Sequence, residues 1–348
     1  MLSSRHSLPG STDQLAPTLA DRWIPVTSNR DDSPWPRHYV LDVPSDHDIF
    51  DRRLLIARRN RAAGDAARHD FLLARVADDL AERLGAINRA FPVALDLGAH
   101  HGLIGRRLAQ LPGIAMVVAA EAASRLLAQC APPRVQADEE ALPFRDQSLD
   151  LVASGLALHL VNDLPGTLVQ IRRALKPDGL LLAALLGGNT LTELRHSLLT
   201  AEEECEGGAS PRVAPFAEVQ DLGALLQRAK FALPVIDAET VSVTYPDALA
   251  LMRELRAMGA TNVLRGRRRT LLRRATLMRA LAVYQERYGL ANGRVPATFE
   301  IITLTAWAPH ESQQQPLQPG SARMRLADAL QTAEHSLDPA TPLAPPRR

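Results

Sequence analysis

Apolar residues at steps of three and four mark an amphipathic helix over Asp65 to Arg89, on which Phe71, Leu72, Val76, Leu80, Leu84 and Ile87 share one face. The pattern then changes to short continuous apolar runs. Phe91 to Leu97 is the first and ends at Gly98. Ile114 to Ala119 reads as a strand, Ala122 to Cys130 as a helix, and Val135 opens a short strand. Ser148 to Ser154 is a strand, Leu164 to Leu175 a helix, and Leu180 to Leu186 a further strand. Lys176-Pro177-Asp178-Gly179 supplies the helix stop and turn between the last two. Strands that are apolar throughout and alternate with helices predict an α/β fold, a mostly parallel sheet covered on both faces.

Beyond Leu186 the pattern predicts helices over Thr190 to Glu206 and Val219 to Ala229, and a strand-pair element over Phe231 to Tyr245. Helices over Asp247 to Gly259 and Thr270 to Tyr288 precede a late strand, Thr298 to Trp307. The expected architecture is a Rossmann-like sheet of seven strands with a helical insertion, at about 246–294, before the last strand.

Residues 1–47 hold six prolines with no sustained period, and 309–348 hold seven beside a Gln run. Since the chain has 25 prolines in all, the compact fold is expected at 48–310, between a disordered extension (1–47) and a Pro/Gln-rich tail (311–348). Lys plus Arg is 40 against 39 Asp plus Glu, which argues against a chain built to bind nucleic acid. Cys130 and Cys205 are too few for a disulfide framework. With no signal peptide pattern and no apolar run long enough to be an integral membrane segment, the expected location is cytoplasmic, including peripheral docking at the inner membrane.

Asp96-Leu97-Gly98-Ala99-His100-His101-Gly102 joins a strand to a helix. Gly98 and Gly102 permit a close backbone approach, and the following helix N-terminus turns N–H groups into the crevice. Alone, this pattern is also an ordinary tight turn. Glu121 lies one βα unit later, where a carboxylate can accept ribose hydroxyls. Asp138, in Ala137-Asp138-Glu139-Glu140-Ala141-Leu142-Pro143-Phe144, can meet an adenine amino group. With Asp146 to Val152 and Leu175 to Gly179, these segments resemble, in order and spacing, the motifs of class I S-adenosylmethionine (SAM) methyltransferases. The resemblance implies SAM as cofactor, with Asp96 suited to its ammonium group.

Five further segments narrow the resemblance. They are Ile49-Phe50-Asp51-Arg52, Leu158 to Pro165, Gly187 to Arg195, Ser210 to Phe216 and Trp307 to Gln313. Over roughly 48–330 the chain is similar to the complex I assembly factor family, the arginine-hydroxylase branch of that superfamily, related to malonyl-acyl-carrier-protein methyltransferase. The resemblance implies an enzyme acting on a protein substrate, a complex I subunit, by methylation or arginine hydroxylation. The rival implications are carboxyl methylation of an acyl-carrier-protein substrate and a SAM-fold chaperone without chemistry.

His100 departs from the glycine usual in this loop, and its side chain is expected to crowd the methionine part of SAM. A metal reading of His100 and His101 lacks a paired acid, so no metal site is expected. His159, after the fourth strand, is the candidate catalytic base, against the alternative of a helix-capping or packed histidine. Asn162 and Asp163 are expected to cap the next helix. Arg265, Arg267, Arg268, Arg269, Arg273, Arg274 and Arg279 make a basic stretch that reads either as a solvated face or as a surface for an acidic partner.

Overall fold

The computed structural model describes residues 48–314, 321 and 324–332. The expected disorder of residues 1–47 lies outside the described residues. The chain separates into two compact units, Met1–His310 and Glu311–Arg348.

Two helices open the first unit, α1 (Arg52–Ala62) and α2 (Phe71–Gly85). Then follow β1 (Val93–Leu97), α3 (Leu103–Leu108), β2 (Met116–Ala120), α4 (Ser124–Leu127), β3 (Arg134–Val135) and β4 (Leu149–Gly155). The remainder is α5 (Leu164–Ala174), β5 (Leu175–Leu186), α6 (Thr192–Glu206), α7 (Val219–Arg228), β6 (Ala232–Tyr245), α8 (Ala248–Ala257), α9 (Arg274–Tyr288) and β7 (Val295–Trp307). In the second unit the described residues form a short helix, α10 (Leu326–Leu330).

The seven strands make one sheet in the order β3-β2-β1-β4-β5-β7-β6. β1 to β5 run parallel, and β7 lies antiparallel between β5 and β6. Alternate residues serve opposite faces. Ala94 joins the cluster built with Leu80, Leu108, Leu198 and Tyr284, from α2, α3, α6 and α9. Leu95 and Leu97 join the cluster built with Leu168, Ile171, Leu222 and Leu226, from α5 and α7. Burial on both faces is why these strands are apolar throughout.

Three expectations need revision. The segment expected as a strand pair is one 14-residue strand, β6, with a register shift between Ala232 and Val235. The long first helix is shorter, because Ala66–Arg68 forms a separate 3-10 turn before α2. The pattern also missed α1, whose sequence RRLLIARRNRA buries Arg52, Leu55 and Arg59 without an apolar stripe. The helix is fixed instead by its neighbours. Asp51 caps it, accepting from the Leu54 N–H at 3.0 Å. Asn162 grips the backbone of Phe50 from both sides, accepting from its N–H at 2.7 Å and donating to its carbonyl at 3.2 Å.

Candidate functional site

In a doubly wound sheet the crevice opens at the carboxyl ends of the strands, where the strand order reverses. Here that point lies between β1 and β4. The turn after β1 is strained in favour of glycine. Gly98 has φ 66° and Gly102 φ 81°. A Cβ on Gly98 would overlap that of Ala157, and one on Gly102 would come 3.0 Å from the Cα of Cys130. His100 takes a left-handed φ of 51° itself.

The sequence-predicted acids stand around this turn. Asp96 is fully buried in β1, and its Oδ2 accepts from the Gly105 N–H at 2.8 Å, near the start of α3. Its Oδ1 has no partner. Burial, only partly opposed by that N–H, pushes its pKa up to about 7. Glu121 follows β2 and is also fully buried. Its two oxygens accept from the N–H groups of Ala123 at 2.8 Å and His100 at 3.0 Å. Burial raises its pKa more than nearby Arg59 lowers it. Asp138 accepts from Arg52 at 2.8 Å through Oδ1, while its Oδ2 is buried without a partner.

Sequence reasoning did not find the groups that hold these acids in place. Arg52 and Arg59 from α1 reach under the turn, each less than a tenth exposed. Both meet the buried Glu139, Arg52 in direct contact and Arg59 at 3.5 Å. Arg59 also lies 3.7 Å from Glu121. Burial opposes the charge on Glu139, but the two guanidinium groups outweigh it and hold the carboxyl below its usual range. The segment Ile49-Phe50-Asp51-Arg52, one of those that carry the family resemblance, holds one of the two guanidinium groups.

Arg59 also forms part of the wall of a cavity of about 320 Å³. His100, His101 and His159 line the same space, with apolar walls that include Leu73, Leu194, Met252 and Phe299. His159 sits in a 3-10 turn after β4, its ring edge-on to Phe216 with centroids 5.5 Å apart. Burial and the charge of Arg59 push both His100 and His159 down to about 3, so both are neutral imidazoles at pH 7. His100 Nε2 and His159 Nδ1 are buried without partners. His101 instead turns to Asp70, at 3.0 Å. Asp96, Gly98, Gly102, Glu121 and Asp138 are not among the cavity walls, so the expected residues gather beside the cavity with Arg59 between.

Asp163 caps α5, accepting from the Gly166 N–H at 2.8 Å. Asn162, expected in the same role, holds Phe50 instead. Among the described residues no group of three or more His, Cys, Asp or Glu side chains is arranged to hold a metal ion. Nor is any described helix long and apolar enough to cross a membrane.

The acceptors left open here fit SAM. Two buried carboxylate oxygens without partners, on Asp96 and Asp138, need donors such as an ammonium and an amino group. Each Glu121 oxygen has accepted one N–H and keeps a second lone pair for a hydroxyl.

A family model described as a methyltransferase domain matches residues 95–183. The chain is 41% identical to "Arginine-hydroxylase NDUFAF5, mitochondrial" of Danio rerio, over 80% of this chain and 89% of that protein. It is 42% identical to the protein of the same name from Homo sapiens, over 82% and 84%. The chain belongs to the NDUFAF5 family of methyltransferase-fold proteins. A "Malonyl-[acyl-carrier protein] O-methyltransferase" of Halorhodospira halophila (strain DSM 244 / SL1) is 36% identical, over 81% of this chain and 96% of that one. Domain and relatives together place the chain in the class I SAM-dependent methyltransferase superfamily, with a Rossmann-like fold. The relatives correct one expectation. The NDUFAF5 proteins are named mitochondrial, which overturns the cytoplasmic location expected from the missing signal pattern and the lack of a long apolar run.

Proposed function

We propose that the chain binds SAM across the carboxyl ends of β1 to β3 and modifies a protein, a complex I subunit, during assembly of the respiratory complex. The identity to the NDUFAF5 proteins over four fifths of the chain carries this reading. In it Asp96 takes the ammonium group, Gly98 and Gly102 let the turn pack tightly against Ala157 and Cys130, Glu121 accepts ribose hydroxyls and Asp138 accepts from the adenine amino group. SAM supplies an electrophilic methyl group when bound. The substrate side chain enters the 320 Å³ cavity, whose walls are mostly apolar. His159 is the catalytic candidate there. Held neutral, its imidazole accepts a hydrogen bond from the substrate and orients it. Carboxyl methylation of an acyl-carrier-protein substrate is the second reading, favoured by the Halorhodospira relative.

Isothermal titration with SAM tests the cofactor assignment. Glu121→Ala should weaken binding by about 1–3 kcal/mol, the cost of leaving hydroxyls unpaired. Unchanged affinity would remove Glu121 from the site. Mass spectrometry of the subunit after incubation with the protein and SAM then separates the chemistries. A methyl group gained supports methylation, and an oxygen atom gained only when dioxygen and a reductant are also supplied supports hydroxylation.

A further inference from the structure

A second hollow, of about 420 Å³, lies between α1 and the loop that leads to α9. Five arginines line it: Arg58, Arg212, Arg267, Arg268 and Arg269. Three of them are neutralised from behind. Arg212 pairs with Glu202, Arg267 with Asp51 at 3.2 Å, and Arg268 with Glu206. Arg58 donates to the Asn262 carbonyl, and neither it nor Arg269 has a carboxylate partner among the described residues. Like charge is also concentrated here. Burial and the neighbouring Arg267, Arg61 and Arg256 act to lower the pKa of Arg58, against the opposing charge of Asp51. A groove that gathers uncompensated guanidinium groups is built for an anion, and the guanidinium fork matches a carboxylate with two hydrogen bonds.

The position of the groove matters as much as its charge. Arg212 and Asn262 belong to its wall and to the wall of the 320 Å³ cavity as well. A ligand lying in the groove is therefore one residue wall away from the reacting side chain. No aromatic residue lines the groove, so a nucleic-acid strand would have no surface on which to stack its bases.

We propose that this groove docks an acidic segment of the protein substrate, next to the side chain that enters the cavity. The proposal rests on the protein-substrate reading above and adds the chemistry of the flanking sequence. Reading the substrate by charge at the cavity rim steers encounter and fixes register, while the mostly apolar cavity itself recognises the side chain.

Fluorescence anisotropy of a labelled hexaglutamate peptide with the full chain tests it. Binding should occur at low salt, weaken as salt screens the charges, and be absent for hexalysine. Each of Arg58→Glu and Arg269→Glu should weaken hexaglutamate binding about tenfold, the loss of one charge-assisted contact, and the double variant that combines them should weaken it further. Arg269 is exposed, so its variant does not depend on refolding of α1. The double variant Arg125→Glu with Arg228→Glu makes the same change of net charge at exposed sites elsewhere, and should bind the peptide like the wild type. Equal losses in both double variants would mean that only net charge matters and would overturn the docking groove. So would displacement of the peptide by inorganic phosphate at equal concentration, which would mark a simple anion site. SAM titration of the same proteins keeps the two readings apart. Hexaglutamate binding without SAM binding would sink the cofactor assignment alone, and SAM binding without peptide binding would sink the groove alone.

Discussion

Arginine meets carboxylate in two places with opposite consequences. Under the glycine turn, Arg52 and Arg59 face Asp138, Glu139 and Glu121, all buried or nearly so. Along α9, Arg279 faces Glu204 and Glu286 in the open, with each side chain at least a third exposed. The contacts are chemically alike. Their surroundings differ, and water decides what each contact contributes. In the buried network each charge has lost its hydration and depends on its partners, so removing one partner strands the others. On α9 water replaces a lost partner at little cost. The lesson is that an ion pair's distance says little about its value until its burial is known.

The largest effect should follow from breaking the buried network. Arg52→Ala leaves Glu139 and Asp138 with less positive charge in a dry site, and should destabilise the fold by about 3–5 kcal/mol in urea denaturation. A loss no larger than that of a surface pair would erase the contrast between the two regions.

A pH series sharpens the same contrast. In the unfolded chain His100 and His159 take up protons near 6.5, while in the fold they wait until about 3. Between those values the unfolded state binds more protons, so stability present above pH 6.5 is lost as the pH falls. Each group should contribute a slope of about 1.4 kcal/mol per pH unit. Asp96 works the other way, because its folded value is raised from 3.8 to about 7 and its contribution is lost as pH rises through that range. Across the shared window it offsets one of the two histidines. Urea denaturation of His159→Asn from pH 6.5 to 4.5 should therefore show a slope smaller by about 1.4 kcal/mol per unit. An unaltered slope would show that the ring takes its proton as readily in the fold as outside it.

The smallest effect is expected on α9. Arg279→Ala should leave the melting temperature within about one degree of the wild type, and added salt should not change that difference. A fall of several degrees would mean that the three exposed charges act as a network.

Much of the sheet was legible because its central strands β1, β4 and β5 are buried on both faces, so each appears as a mostly apolar run. The glycine turn was legible too, since Gly98 and Gly102 are needed for local backbone reasons. Helix α1 was not. Its buried positions are Arg52, Leu55 and Arg59, and no hydrophobic period marks a helix that packs through guanidinium groups. The basic stretch was legible as charge and not as function. Arg265, Arg267, Arg268 and Arg279 each have a carboxylate partner, while Arg269 lines a groove.

By itself, then, the sequence determined the alternation of strands and helices, the glycine turn, the three acids around it and the family. Each of these depends on near neighbours in the chain or on periodic burial, which leave a readable pattern. Only the tertiary structure decided that Arg52 and Arg59 reach across more than 60 residues to hold the acids, and that Asn162 secures the segment before α1. It also decided that Arg58 and Arg212, far apart in sequence, share a wall with the loop at 267–270. Such contacts depend on where two distant segments come together, and the strength of each depends on how much water is left between them.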